Sequence, residues 1–220
     1  MSFIEKLDSP GEHPLFLQGL SGQLEAILTV PQQINNNLVA FLGHPHSLQG
    51  GTMNNKVVTT MARVFKELGI PSLRFNFRGV GQSAGFYDDG IGESEDMIAQ
   101  VNQWQKEQAD VRPVFAGFSF GSYVAYRTAA QFENSPLITI APPVHHYDYR
   151  EFSPAPQPWL IIQGDADEVV PYSLVMHFAR QSSPVLPVIE FADTGHFFHG
   201  KLVELKTQLM EYMNSQVLSL

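Results

Sequence analysis

The segment Gly117-Phe118-Ser119-Phe120-Gly121 sets a serine between two glycines, each two residues away. A sharp turn from strand into helix would press neighbouring backbone against both glycine positions and push the serine hydroxyl into the open. The same turn would aim unpaired N–H groups and the positive end of the helix dipole at negative charge developing beside the serine. Serine is a weak nucleophile unaided. It needs a histidine base, and that histidine needs a carboxylate to fix its tautomer. Two later segments carry such partners: Gly164-Asp165-Ala166-Asp167-Glu168-Val169-Val170-Pro171 and Asp193-Thr194-Gly195-His196-Phe197-Phe198, in the chain order Ser, Asp, His. Asp165 and Asp167 both remain eligible on spacing. Of the eight histidines, His196 alone combines this order, a preceding glycine and a loop after an apolar run, whereas His199 reads as the start of the last helix.

These residues do chemistry together only if the elements before them end on one edge. Alternation in 23–30, entered from the turn at 19–22, predicts an antiparallel pair opening the fold. The uninterrupted apolar run 38–42 predicts a strand covered on both faces. A helical period at Val57, Met61, Val64, Phe65 and Leu68 follows, stopped by Gly69 and Pro71. The alternation continues with strands at 72–77, 111–118, 137–141, 159–163 and 185–191. Helices are expected over 93–108, 120–133, 172–182 and from 199 onward. This order predicts an α/β fold, a mostly parallel central sheet with helices on both faces and a ligand site at the C-terminal strand ends. The proline-rich stretch 142–158 reads as one rigid connection rather than a boundary, so 1–220 is expected to form a single domain.

The elbow, the Ser-Asp-His order, Gly164-x-x-Asp167-x-x-Val170-Pro171 and Gly195-His196 resemble the α/β-hydrolase superfamily over nearly the whole chain. His44-Pro45-His46 and Arg74-Phe75-Asn76-Phe77-Arg78-Gly79-Val80-Gly81-Gln82-Ser83 are most similar to small bacterial dienelactone-hydrolase-like serine hydrolases. The resemblance implies an α/β-hydrolase fold, Ser119 as nucleophile, His196 as base and Asp167 rather than Asp165 as the orienting acid. Ser119 stands where dienelactone hydrolases themselves use cysteine, so their substrate does not carry over. Residues 142–158 are too few for the packed helices of a cap domain, which predicts an uncapped, shallow site.

The expected reaction is hydrolysis of a small or medium carboxylic ester or thioester through an acyl-enzyme on Ser119, a carboxylesterase-like activity. The oxyanion hole takes one N–H from Phe120. The second comes from the loop after the 38–42 strand, where Pro45 has none to give, and the His46 amide is favoured over Ser47 and Leu48. Phe118, His145, Tyr147 and Phe197 are expected to bind substrate, with Phe120 and Phe198 also near the strand ends. Paired histidines (His44 and His46, His145 and His146, His196 and His199) raise the thought of a metal, yet each pair is accounted for by these loops. No metal and no cofactor is therefore expected. Asp88-Asp89-Gly90 reads as a solvated turn, and Arg74 and Arg78 as structural ion pairs around the Gly-rich loop.

Composition narrows the partners. A formal net charge of −9 repels phosphate backbones and anionic lipid surfaces, so neither nucleic acid nor membrane is expected to bind. The absence of cysteine removes disulfides, thiolate metal sites and a cysteine nucleophile. No basic stretch leads into a long apolar run at the N-terminus, which predicts a cytoplasmic protein acting on a small-molecule ester and leaves a homodimer open. Two other readings stay in play: a peptidase or amidase with the same triad, and a non-catalytic binding protein on this fold.

Overall fold

The computed structural model describes residues 3–34 and 37–219. Met1 and Ser2, on which the leader reading partly falls, lie outside the described residues. A short helix α1 (Ile4–Leu7) precedes strands β1 (Gly11–Gly19) and β2 (Gly22–Val30). Then come β3 (Leu38–Gly43), α2 (Lys56–Glu67), β4 (Ser72–Phe75), α3 (Ile91–Glu107), β5 (Arg112–Phe118) and α4 (Phe120–Ala129). The last part holds β6 (Leu137–Ile140), β7 (Trp159–Gly164), α5 (Tyr172–Gln181), β8 (Val188–Phe191) and α6 (Leu202–Tyr212), which runs on into a π turn over Met213–Val217. The described strands form one eight-stranded sheet ordered β1-β2-β4-β3-β5-β6-β7-β8. The β1/β2 and β2/β4 pairs are antiparallel and the others are parallel.

Side-chain alternation explains why both faces are covered. Along β3 and β5, Val39, Phe41 and Phe115 join one buried cluster with residues of α3, α4 and α5. Leu38, Ala40, Leu42, Val114, Ala116 and Phe118 join a second with residues of α2 and α6. A period of two splits one apolar run between two cores, which is how the continuous run of β3 becomes buried throughout. Each fully buried Phe on these strands stabilises by roughly 2–3 kcal/mol relative to exposure.

Several boundaries move. The strand expected over 185–191 shortens to β8, which starts only after Pro187. The sequence also misses α1, whose four residues are too few to show a period. Residues 141–158 contain neither helix nor strand, so no cap stands over the sheet edge. Among the described residues no helix is long and apolar enough to cross a membrane.

Between β3 and β5 the chain order reverses: β3 leads to β4 on one side, and β5 leads to β6 on the other. The loops leaving such neighbours part company and open a crevice at their C-terminal ends. There the His44-Pro45-His46 loop and the Ser119 turn face each other.

Candidate active site

Ser119 sits between β5 and α4 with φ 53° and ψ −124°, a backbone conformation that costs a non-glycine residue of order 1–3 kcal/mol. Close backbone packing holds it there. A Cβ on Gly117 would come within 2.1 Å of the Gly121 carbonyl oxygen, and one on Gly121 within 2.3 Å of the Gly43 carbonyl carbon. Gly43 has the same constraint, since its Cβ would meet the Gly121 oxygen at 2.4 Å. The elbow therefore has a third glycine, signalled in the sequence only by a glycine ending an apolar strand.

His196 Nε2 lies 3.1 Å from Ser119 Oγ, and Nδ1 lies 2.9 Å from Asp167 Oδ2. The imidazole and carboxylate are almost wholly buried, with 3% and 1% of their side chains exposed. Burial by itself would raise the Asp167 carboxyl. The hydrogen bond from His196 and the amides of Val170 and Val169 outweigh it and hold the group below the usual carboxylate range. An ionised acceptor requires the proton on Nδ1, which leaves Nε2 as the lone pair facing the serine hydroxyl. The competing Asp165 instead accepts the Thr194 amide at 3.4 Å, and His199 is exposed just ahead of α6.

No family model matches the chain. It is 34% identical over 214 residues to an uncharacterized protein of Rickettsia prowazekii, covering 90% of this chain and 87% of that one. A Coxiella burnetii structure described as an alpha-beta serine hydrolase homologue matches at 42% identity and TM-score 0.87, covering 91% of this chain and 97% of that one. A Xanthomonas campestris structure, described as an α/β serine hydrolase without lid, matches at 39% identity and TM-score 0.88, covering 93% and 94%. The chain belongs to the α/β serine hydrolases.

In this hydrolase the serine opens onto a cavity of about 420 Å³. His145 and Tyr147 line it as expected from the sequence, together with His46, Tyr87 and Asp89. Phe118 does not. It is the last residue of β5, fully buried, with its ring 5.0 Å from that of His196 in the core behind that imidazole. Phe197 also stays outside the cavity, exposed and packed edge-on against Phe118, and Phe198 is buried against Phe191. A phenylalanine one step before the elbow still obeys strand parity, so it points into the sheet face and not toward substrate.

The loop after β3 is held by His44, which is wholly buried. Its Nδ1–H donates to the Pro45 carbonyl at 2.7 Å, and Nε2 accepts the Phe77 N–H at 2.9 Å. Burial lowers its pKa from the ordinary 6.5 to about 4, against the Pro45 hydrogen bond, which raises it. The unfolded chain therefore takes up this proton at a higher pH than the folded chain does. The stabilisation is whole above pH 6.5 and is lost as pH falls toward 4, by about 3 kcal/mol. Urea midpoints of wild type and His44→Asn should converge over that interval. A stability difference independent of pH would mean that His44 is not held neutral.

Two residues on, His46 Nδ1 accepts the Leu48 amide at 3.2 Å and Nε2 lies 3.2 Å from the Tyr87 hydroxyl, which lies 3.2 Å from that of Tyr147. The Leu48 amide is thereby occupied. Among the described residues no backbone partner occupies the His46 amide. Burial lowers the His46 pKa, so the ring is neutral with its proton on Nε2, pointing at Tyr87.

Gln163 and Glu93 support the site without standing out in the sequence, whereas Arg78 forms the structural ion pairs expected of it. Gln163 Nε2 donates to Asp167 Oδ2 at 3.1 Å, the oxygen that His196 also contacts. Arg78, fully inside, pairs with Asp96 at 2.9 Å and reaches Asp88 at 3.7 Å, and Glu93 accepts the amides of Asp88 and Gly90. That lattice fixes the loop carrying Tyr87 and Asp89. Arg74, expected at the same loop, instead donates to Thr29 of the adjacent β2 and pairs with Glu12 of β1. Among the described residues, His, Asp and Glu nowhere gather in threes able to hold a metal ion.

Proposed function

We propose that the hydrolase cleaves small or medium carboxylic esters or thioesters through an acyl-enzyme on Ser119, with His196 as base and Asp167 as the orienting carboxylate. The observation that carries this reading is the unbroken contact from Asp167 through His196 to Ser119 Oγ, at the mouth of a cavity with no cap above it. His196 Nε2 takes the hydroxyl proton as Oγ adds to the carbonyl carbon, then returns it to the leaving alcohol or thiol. Water repeats the cycle in reverse and frees the acid. The tetrahedral oxyanion is taken by the Phe120 amide, first in α4 and without an intrahelical partner, and by the His46 amide. Each step is an addition, an elimination or a proton transfer that these groups complete themselves. His145 and Tyr147 are proposed as substrate contacts on the cavity wall.

Labelling by an uncharged fluorophosphonate tests the proposal. The wild type is expected to take one equivalent on Ser119, located by peptide mass, and Ser119→Ala none. A folded wild type that stays unlabelled would instead favour a binding protein on this fold. Comparing 4-nitrophenyl esters with aminoacyl anilides separates esterase from amidase, and faster anilide cleavage would overturn the ester assignment.

A further inference from the structure

The charges around the cavity are lopsided. Asp89 contributes a carboxylate to the lining, and no lysine or arginine is among the described lining residues. The arginines on neighbouring elements are engaged elsewhere. Arg78 is held by Asp96 and Asp88, Arg127 by Glu151, and Arg150 by Gln181 and the face of Phe178. Three imidazoles also line the cavity: burial lowers the pKa of His46 and of His145, and His146 is exposed to solvent. Asp89 itself is exposed at the rim and acts electrostatically on His46 and on the Tyr87 hydroxyl. Three aromatic rings form part of the wall, with Phe120 5.5 Å from Tyr87 and 5.6 Å from Tyr147 between ring centroids.

We propose that Asp89 is a specificity-determining residue that makes the cavity select by charge, rejecting carboxylate- or sulfonate-bearing esters and admitting uncharged and cationic ones. The proposal rests on Ser119 being the nucleophile. An anionic group in this cavity gives up water and finds no lysine or arginine, while a carboxylate stands at its entrance. A cationic group meets that carboxylate and the faces of aromatic rings, both attractive. The protein's net charge of −9 acts in the same direction at longer range. Asp89 has φ 50°, a conformation that asparagine tolerates well, so Asp89→Asn removes the charge without straining the turn.

The test uses three 4-nitrophenyl methylphosphonates differing only in the second alkoxy group: 2-(trimethylammonio)ethoxy, 3,3-dimethylbutoxy and 2-sulfonatoethoxy. In each, Ser119 Oγ bonds to phosphorus as the P–O bond to 4-nitrophenolate breaks, and His196 takes the serine proton. Release of 4-nitrophenolate reports the rate. At low salt the wild type should react with the sulfonate about ten-fold more slowly than with the uncharged reagent, and with the cation at least as fast. In Asp89→Asn the sulfonate penalty should shrink to about three-fold or less. In the wild type, 0.5 M salt should narrow the spread, a reading that stands even if the variant folds poorly. Equal rates for sulfonate and uncharged reagent would overturn charge selection, and a penalty unchanged in folded Asp89→Asn would overturn Asp89 as its source, whatever salt does. Failure of all three reagents to modify Ser119 would overturn the nucleophile assignment instead.

Discussion

Replacing Ser119 by alanine is expected to lower kcat/KM for a 4-nitrophenyl ester on the order of 10⁵- to 10⁶-fold while leaving the fold intact. Ser119 is only partly exposed and its Oγ contacts His196 without bearing on the core, so the loss falls on chemistry. His196→Ala should cost a similar factor, because each residue is useless without the other. Ser119→Ala/His196→Ala should then be no worse than either alone, since groups acting as a unit are not additive. Residual hydrolysis above buffer should survive in all three from the Phe120 and His46 amides. Steady-state rates of the three variants, with circular dichroism to confirm folding, check this. Losses that multiply in the double variant would mean the two residues act independently.

Asp167→Asn is expected to cost on the order of 10⁴-fold in kcat with little change in KM. The surroundings dictate how the amide must sit. Val169 and Val170 amides both point at Oδ1, which fixes the Asn carbonyl there and turns its NH₂ to the Oδ2 position facing His196 Nδ1. That NH₂ donates, so Nδ1 must accept and the imidazole proton moves to Nε2, where it blocks uptake of the serine proton. Gln163, whose Nε2 now donates to Oδ2, would meet another donor and have to turn over. A loss below ten-fold would mean that Asp167 does not set the tautomer.

What the sequence disclosed was whatever short-range geometry demands. Gly117 and Gly121 were legible because only glycine fits where β5, α4 and the end of β3 nearly touch. Asp167 and His196 were legible because they follow apolar strands in order, although spacing alone did not separate Asp167 from Asp165. The separation lies in three dimensions, where the Val169 and Val170 amides fold back onto one carboxylate and not the other. Phe118 was misread as a pocket residue, because the period of two along β5 turns its ring into the core with Val114 and Ala116. Tyr87 and Asp89 were invisible as site residues, since the Arg78, Asp96 and Glu93 lattice that holds their loop at the cavity is made of side-chain contacts that leave no periodic pattern in the sequence. Gln163 did leave a trace: a lone amide in the apolar strand β7, four residues before the acid.

The stretch from 141 to 158 crosses the sheet edge with neither helix nor strand. Nothing must therefore swing aside for substrate to arrive or product to depart. Turnover in such an enzyme is paced by bond making and breaking rather than by opening motions, so thickening the solvent with sucrose should leave kcat almost untouched. The same openness forgoes the water exclusion that a closing lid supplies, and it suits a hydrolase, for which water is the second substrate.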